Sequence, residues 1–372
     1  MSHIQELYAK TIEEVHPVHS TLDLSELNTK IGRLFMAGMP GTQLDKDTEA
    51  LIRDYCLGGV ILFSRNIENP VQLATLINDL IDAAMKYHGK ALFLAIDQEG
   101  GRVARLKEPF TLFPGNTVIG EDKDPLKRAK EFARITAKEM LLTGLNMDLA
   151  PVVDVRRGEP EKHLGGRTFS DDPETVALLG STVIKGLQEK GIMAVAKHFP
   201  GLGRASVDPH HHLPTIEADI KEIEEINLKP FKSAIESGVS AVMTSHAIYP
   251  ALDPDNPATL SYKIVTELLR ETLGFQGLVI TDDLEMGAIG KKWGVPAGAT
   301  AAFEAGADIL LICEDQNMVL ESINTLRQKL LKGDISSHRL HQSIERIMAA
   351  KSTFLKKPKK VALKEVRKYF SV

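Results

Sequence analysis

The stretch MAVAKHFPGLG, residues 193–203, contains the pattern on which the fold prediction depends. Its first four residues are all apolar, which is typical of a short strand that is buried on both faces. Lys197 and His198 follow directly, where this strand is expected to end, and a loop rich in glycine and proline comes next. An acid and a histidine, Asp208 and His210, stand further along the same loop. A buried strand that ends in titratable side chains is therefore the unit to look for elsewhere in the chain.

Seven further apolar runs repeat this unit, starting near residues 35, 60, 91, 145, 239, 277 and 308. Segments with the helical spacing of apolar residues separate them, and the clearest example is 173–190. Continuous apolar runs are expected of parallel strands that helices cover on both faces. Eight such units predict an α/β fold, a single (β/α)8 TIM barrel with extra C-terminal helices. A doubly wound open sheet is the structural alternative.

The chain divides into a central barrel and two ends. Its 372 residues, 43% of them hydrophobic and 26% charged, are sufficient for one large core. We predict an N-terminal extension over 1–23, the barrel over 24–355 and a Lys-rich tail over 356–372. The tail is expected to form a solvated helix. Cys56 and Cys313 lie in apolar surroundings and are expected to be buried free thiols.

Composition argues against several classes of function. A net charge of -5 indicates neither a nucleic-acid partner nor a membrane partner. No apolar run approaches the length of about 20 residues that is needed to span a bilayer. The N-terminal residues lack the basic and apolar regions of a secretory signal, so a cytoplasmic location is expected. We expect a monomer that uses no cofactor.

Polar residues stand directly after the apolar runs. In a (β/α)8 barrel the carboxyl ends of all strands open at one face, where active sites lie. A single aspartate there usually caps the next helix, so the functional argument depends on the convergence of several residues. Such a set suits a sugar, because charged groups bind hydroxyls and an acid pair can cleave a glycosidic bond. The residues are Asp97, Asp154, Lys197, His198, Ser245, His246, Asp282 and Asp283.

Five short motifs narrow the function further. They are DQEGGRVAR at 97–105, GRTFS at 166–170, KHFPG at 197–201, DPH at 208–210 and TDDLEM at 281–286. Together and in this order they resemble glycoside hydrolase family 3, specifically its bacterial β-N-acetylglucosaminidases. The resemblance implies a TIM barrel and a retaining exo-β-N-acetylglucosaminidase. Its implied substrate is the nonreducing N-acetylglucosamine of peptidoglycan fragments (muropeptides), which are recycled from the cell wall.

The resemblance also implies a role for each matching residue. Asp282 matches the nucleophile, which forms a covalent glycosyl-enzyme. His210 matches the acid/base, with Asp208 as the partner that orients its ring, and histidine suits a group that both gives and takes a proton. The loop over 199–216 is expected to move to bring this histidine to the sugar. The residues that match binding positions for the N-acetylglucosamine ring are Asp97, Arg105, Arg167, Lys197 and His198.

Three residues in these motifs have a structural interpretation beside the functional one. Arg167 can form a buried ion pair that supports its loop. Asp283, next to the implied nucleophile, can cap a helix or support the turn. Glu99 is structural in the family pattern, and we leave it out of the catalytic set.

Two positions depart from the family pattern. Leu202 stands where the family often has a second histidine, and Pro209 separates Asp208 from His210 where serine or threonine is usual. Proline fixes φ and removes an amide donor, so the mobility of this loop can differ from that of relatives. Because the next residue is also a histidine, His211 is an alternative acid/base.

Three other functions compete with this interpretation. His198, His246 and Asp282 could serve a metal-dependent barrel hydrolase, but three adjacent histidines, 210–212, cannot all face one metal, and we predict no metal site. A sugar-binding protein without turnover is the second alternative. A β-glucosidase-like family 3 enzyme is the third, although such relatives generally take their acid from a second domain. The sequence leaves open the aglycone and whether phosphate replaces water as the acceptor.

Overall fold

Eight parallel strands form the centre of the structure, a computed structural model that describes residues 24–158, 164–205, 207–355 and 360–372. The predicted N-terminal extension, 1–23, lies outside the described residues. The strands are β1 Phe35–Gly38, β2 Gly59–Leu62, β3 Phe93–Ile96, β4 Met147–Asp148, β5 Met193–Phe199, β6 Ala241–Thr244, β7 Leu278–Ile280 and β8 Leu310–Ile312.

The sheet closes on itself. β1 lies between β2 and β8, and Met36 pairs in parallel with both Gly59 and Leu311. The order of the sheet places β7 and β8 at its two ends, and a parallel bridge between Ile280 and Ile309 joins them. This closure confirms the predicted (β/α)8 barrel and is not that of a doubly wound open sheet.

Side chains complete the seam between β7 and β8. One carboxylate oxygen of Asp308 accepts a hydrogen bond from the amide of Val279 at 3.0 Å. The hydroxyl of Thr281 accepts one from the amide of Leu311, also at 3.0 Å. These two side chains satisfy amides of the closing strands, which would be costly to bury without a partner.

Helices connect the strands and cover the barrel. Several begin with the favoured capping chemistry: Asp45, Asn69 and Asp124 each accept hydrogen bonds from amides of the first turn. The helices are α1 Leu24–Gly32, α2 Lys46–Tyr55, α3 Pro70–His88, α4 Pro125–Thr143, α5 Pro173–Gln188, α6 Leu228–Glu236, α7 Lys263–Thr272, α8 Val295–Ala305, α9 Gln316–Lys332, α10 Ser337–Phe354 and α11 Leu363–Phe370. A helical turn, Ile220–Glu222, and a π-helical turn, Ile223–Asn227, lead into α6, and α7 is itself π-helical. Shorter elements are the helical turns Ser64–Asn66, Asn116–Gly120, Ala258–Leu260 and Gly287–Gly290, and the hairpins Gln98–Gly100 with Val103–Ala104 and Ile248–Tyr249 with Asp253–Pro257.

β5 is longer than the sequence predicted. The strand was expected to end before Lys197, but it continues through Phe199, and all seven of its residues are buried. The reason is backbone pairing on both sides: Lys197 bridges Val152, and Phe199 pairs with Thr244. Lys197 and His198 therefore lie within the last part of a strand, where pairing restrains their backbones.

The C-terminal helix α11 corrects the prediction for the Lys-rich tail. A helix is present, but it is not simply solvated, because Val366 and Phe370 are buried. The ring of Phe370 lies 4.6 Å from that of Phe110, in an edge-on contact. The two apolar residues are four apart and so share one face of the helix, while Lys364 and Lys368 are exposed.

Two other predictions concern cysteines and membrane spans. Cys56 and Cys313 are both buried and free, as predicted. Within the described ranges, no helix is both long and apolar enough to cross a bilayer.

Replacing Phe370 by alanine should destabilise the protein, because it empties the contact between α11 and the barrel helices. Loss of a buried phenylalanine ring costs about 3 kcal/mol of unfolding free energy. Lys368→Ala, on the exposed face of the same helix, is the matched control and should change stability little. Urea unfolding of the two variants measures the difference. Equal, small effects would mean that α11 contributes nothing to the stability of the barrel.

Candidate active site

The predicted site residues converge at the carboxyl ends of the barrel strands. Asp97 follows β3 directly, Lys197 and His198 belong to the end of β5, and Asp282 lies two residues beyond β7. Arg105 follows the hairpin after β3, and Arg167 comes from the long loop after β4. The ion pairs and hydrogen bonds described below connect Asp97, Arg105, Arg167, Lys197 and His198.

Buried ion pairs link most of the predicted sugar-binding side chains. Lys197 Nζ donates to Asp97 Oδ1 at 2.9 Å and lies 2.7 Å from Glu99 Oε1. Arg167 donates to both oxygens of Glu99 at 2.8 Å, and Arg105 donates to Asp97 at 3.1 Å. Each buried charge has an opposite partner, which offsets the cost of removing it from water. Arg167 thus forms a buried ion pair with Glu99, as its structural interpretation predicted.

The network keeps its members ionised. Burial acts to raise the pKa of Glu99, but Arg167 and Lys197 outweigh it and hold that pKa well below its ordinary value. Lys197 and Arg105 likewise outweigh burial at Asp97, whose pKa is lowered. Burial acts to lower the pKa of Lys197, yet its two carboxylate partners raise it overall. A ligand at this face therefore meets fixed charges at neutral pH.

Asp154 holds His198 in place. Its Oδ2 lies 2.7 Å from His198 Nδ1, and its Oδ1 accepts the amides of His198 at 3.2 Å and Leu202 at 2.6 Å. A carboxylate at Nδ1 favours a proton on that nitrogen, so Nε2 accepts from Arg167 Nη2, 3.4 Å away. Leu202, one of the departures from the family pattern, thus contributes its backbone amide. The sequence placed Asp154 at a strand end but gave it no role.

Asp282 lies beside two histidines. Burial acts to raise the pKa of this carboxyl, but the neighbouring His198 and His246 and the amide of Asp283 lower it overall. That amide donates to Asp282 Oδ1 at 2.9 Å. Asp282 is therefore ionised at neutral pH, which is the state that a carboxylate nucleophile requires.

His246 supports the turn that contains Asp282. Its Nε2 lies 2.9 Å from the backbone oxygen of Asp283, and its Nδ1 lies 2.8 Å from the hydroxyl of Thr259. Because a carbonyl only accepts, a neutral ring carries its proton on Nε2, while the Thr259 hydroxyl that contacts Nδ1 donates to the carbonyl of Ser245 at 2.9 Å. Burial lowers the pKa of His246, which favours this neutral form. The sequence identified His246 as a strand-end residue without predicting this contact.

His210 and Asp208 stand on a turn next to the residues that follow Asp282. His210 Nδ1 lies 2.6 Å from Asp208 Oδ1, and the same oxygen accepts the amide of His210 at 2.9 Å. The ring is more than half exposed, with 58% of the side chain accessible. Contact through Nδ1 directs Nε2 away from the carboxylate of Asp208. The carboxylate of Asp208 makes this ring contact with His210, and His211 contributes its backbone amide to the Asp208 carbonyl.

The histidines considered as metal ligands have other partners. His198 contacts Asp154, His246 contacts Thr259, and His210 contacts Asp208. In the part of the chain that the structure describes, no group of three or more His, Cys, Asp or Glu side chains has an arrangement that could hold a metal ion.

Comparison with known sequences gives consistent matches over most of the chain. The model of the glycosyl hydrolase family 3 N terminal domain matches residues 26–350. A beta-hexosaminidase of Nitrosomonas eutropha is 34% identical over 332 residues, which cover 85% of this chain and 94% of that protein. A beta-hexosaminidase of Alkalilimnicola ehrlichii is 37% identical over 311 residues, which cover 82% of this chain and 88% of that protein.

Solved structures agree with the sequence comparison. A family 3 beta-N-acetylglucosaminidase from Paenibacillus sp. FPU-7 superposes with a TM-score of 0.88 at 36% identity, covering 95% of this chain and 68% of that one. A beta-N-acetylhexosaminidase from Beutenbergia cavernae gives a TM-score of 0.81 at 31% identity, covering 88% of this chain and 98% of that one. The five motifs, the closed barrel and these matches together show that the chain belongs to glycoside hydrolase family 3.

Proposed function

We propose that this family 3 chain is a retaining exo-β-N-acetylglucosaminidase that removes nonreducing N-acetylglucosamine from muropeptides. The observation that carries the proposal is the approach of the Asp208–His210 pair to the segment that follows Asp282, although more than 70 residues separate them in sequence. Relatives named for hexosaminidase and N-acetylglucosaminidase activity support the choice of sugar. The muropeptide substrate and the cytoplasmic, monomeric state are expectations from the sequence.

The first chemical step would use both groups. Asp282 attacks the anomeric carbon of the sugar as the glycosidic C–O bond breaks. His210, charged and paired with Asp208, gives its Nε2 proton to the leaving oxygen. The products of this step are a glycosyl-enzyme on Asp282, a neutral His210 and the free aglycone.

The second step would reverse the proton transfer. His210 Nε2 takes a proton from water as that water attacks the anomeric carbon. The bond to Asp282 breaks, the carboxylate is restored, and two inversions give net retention of configuration. A histidine whose Nδ1 stays bound to Asp208 suits both steps, because only Nε2 changes its protonation.

The ion network would bind the sugar ring. Asp97 suits hydroxyl donors, Lys197 lies beside it, and His198 joins the network through Arg167. A feature of Arg105 supports this role in sugar binding. Its Nε is buried and has no hydrogen-bond partner among the described residues. A buried donor without a partner is destabilising, so a sugar hydroxyl at this position would be bound favourably.

Asp283 controls the charge beside the nucleophile. Burial raises the pKa of Asp283 to about 7, and its Oδ1 accepts the amide of Glu285 at 3.1 Å. The carboxylate of Glu285 in turn accepts the three successive amides of residues 313–315. Asp283 is thus a support for the turn, as its structural interpretation suggested. It is also largely neutral below pH 7, so Asp282 carries the charge in this pair.

Trapping the intermediate tests the nucleophile. A 5-fluoro N-acetylglucosaminyl fluoride should inactivate the enzyme and label one peptide at Asp282, because the fluorine slows breakdown of the glycosyl-enzyme. Peptide mapping by mass spectrometry locates the label. Asp282→Asn should remain unlabelled, whereas Asp283→Asn, the matched control, should still be labelled. A label on any other residue would overturn the assignment.

Removing the histidine tests the acid/base. His210→Ala should slow hydrolysis of natural substrates by about 10²–10⁴, the usual contribution of a positioned acid/base. An aryl glycoside with an activated leaving group should lose less in the first step, because its oxygen needs little protonation. His211→Ala is the control and should retain near-normal rates. If His211→Ala shows the loss instead, the register of the acid/base is wrong.

Stability against pH tests the environment of Asp283. An unfolded aspartate loses its proton near pH 4 and the folded one near pH 7, so the contribution of Asp283 to stability falls as pH rises between these values. Asparagine cannot ionise, and Asp283→Asn should therefore gain about 2 kcal/mol relative to wild type between pH 5 and pH 8. Urea unfolding at both pH values measures the gain. A difference that does not change with pH would contradict the raised pKa.

A further inference from the structure

We propose that Gly287 and Lys291 form a dock that holds the turn carrying His210 beside Asp282 and sets the position of the acid/base. The dock is defined as residues 287–291, which follow the implied nucleophile on the same loop. This inference rests on the proposed function, because it takes His210 to be the acid/base. It goes further by assigning a positioning role to residues outside the family motifs.

Three successive carbonyls of the histidine turn are bound by the dock. The amide of Gly287 donates to the carbonyl of His210 at 2.9 Å, and the next amide donates to the carbonyl of residue 209 at 3.1 Å. Lys291 Nζ donates to the carbonyl of His211 at 3.1 Å. These bonds fix the backbone on both sides of the catalytic ring. Because the dock begins five residues after Asp282, they also fix the histidine relative to the nucleophile.

The hydrogen bonds inside the turn have a different effect. The carbonyl of Asp208 accepts the amides of His211 and His212 at 3.0 Å, and its side chain accepts the amide of His210. These contacts join residues that are close in sequence, so they shape the turn without attaching it to the barrel. The bonds to the dock provide the attachment.

The close approach explains why residue 287 is glycine. A Cβ atom at Gly287 would lie 2.8 Å from the carbonyl oxygen of His210 and 3.0 Å from that of His211. These are backbone atoms, which cannot rotate away as the end of a side chain can. The φ of Gly287 is outside the left-handed region, so its own conformation does not require glycine. The requirement comes from the turn that lies against it.

Displacing the turn should move His210 out of line with the leaving oxygen. The enzyme should then behave as if its general acid were weaker. A misplacement of about 1 Å can cost about 10²-fold in rate, since proton transfer needs close alignment. Gly287→Ala should slow aryl N-acetylglucosaminides with poor leaving groups by about 10–100-fold and those with activated leaving groups much less. The plot of log(kcat/KM) against leaving-group pKa should become steeper. A general loss of structure would lower all points equally and leave the slope unchanged.

The experiment compares five variants across one series of aryl glycosides, with His210→Ala as the reference for loss of the acid/base. Lys291→Met removes a single contact and should steepen the plot less than Gly287→Ala. Gly41→Ala is the control for the added methyl group, because a Cβ there has no heavy atom within 4 Å. Lys292→Met is the control for loss of a lysine, since Lys292 is the exposed neighbour. Both controls should keep the wild-type slope.

The outcomes distinguish failure of the dock from failure of the proposed function. If His210→Ala steepens the plot while Gly287→Ala and Lys291→Met do not, the dock is wrong and the proposed function stands. If His210→Ala leaves the slope unchanged, the acid/base assignment fails and the dock fails with it. If thermal melting shows that Gly287→Ala does not fold, Lys291→Met decides: an unchanged slope in that variant overturns the proposal.

Discussion

The site depends on one buried carboxylate, Glu99, which neutralises two cations from different loops. Arg167 comes from the loop after β4 and Lys197 from the end of β5, and both meet Glu99 within 2.8 Å. Neither cation would be stable at this depth without a negative partner, since unpaired buried charges are strongly destabilising. Glu99 therefore determines where the positive charge lies, and it shares Lys197 with Asp97.

The three histidines of the site, His198, His246 and His210, differ in what fixes them. Asp154 and Arg167 contact the two ring nitrogens of His198, Thr259 and a backbone carbonyl contact those of His246, and Asp208 holds the exposed ring of His210 through Nδ1. A ring bound at both nitrogens cannot exchange protons with a substrate without losing a contact. A ring bound at Nδ1 and exposed elsewhere can. The arrangement thus separates structural histidines from one suited to proton transfer.

The fold was largely predictable from sequence, because eight apolar runs with helical segments between them leave few arrangements other than a barrel. The site was predictable as a set of strand-end residues, and the motifs identified the family. The contacts of Asp154 and His246 were not predictable, since they join residues 44 and 37 positions apart through tertiary packing. The length of β5 was misjudged for the same reason: Lys197 and Phe199 have strand conformation because their neighbours pair with them. The buried face of α11 was overlooked because the tail as a whole is rich in lysine, while two apolar residues determine the packing of the helix.

The seam between β7 and β8 has a consequence for how the barrel tolerates change. The strand that leads to Asp282 is joined to β8 partly through the hydroxyl of Thr281 and the carboxylate of Asp308, which accept amides of the two strands. An apolar residue of the same shape would fill the space at either position but would leave an amide without an acceptor. At this junction, therefore, the chemistry of the side chain matters as well as its size. Tolerance of the strands to substitution is thus restricted directly beneath the residue that we assign as nucleophile.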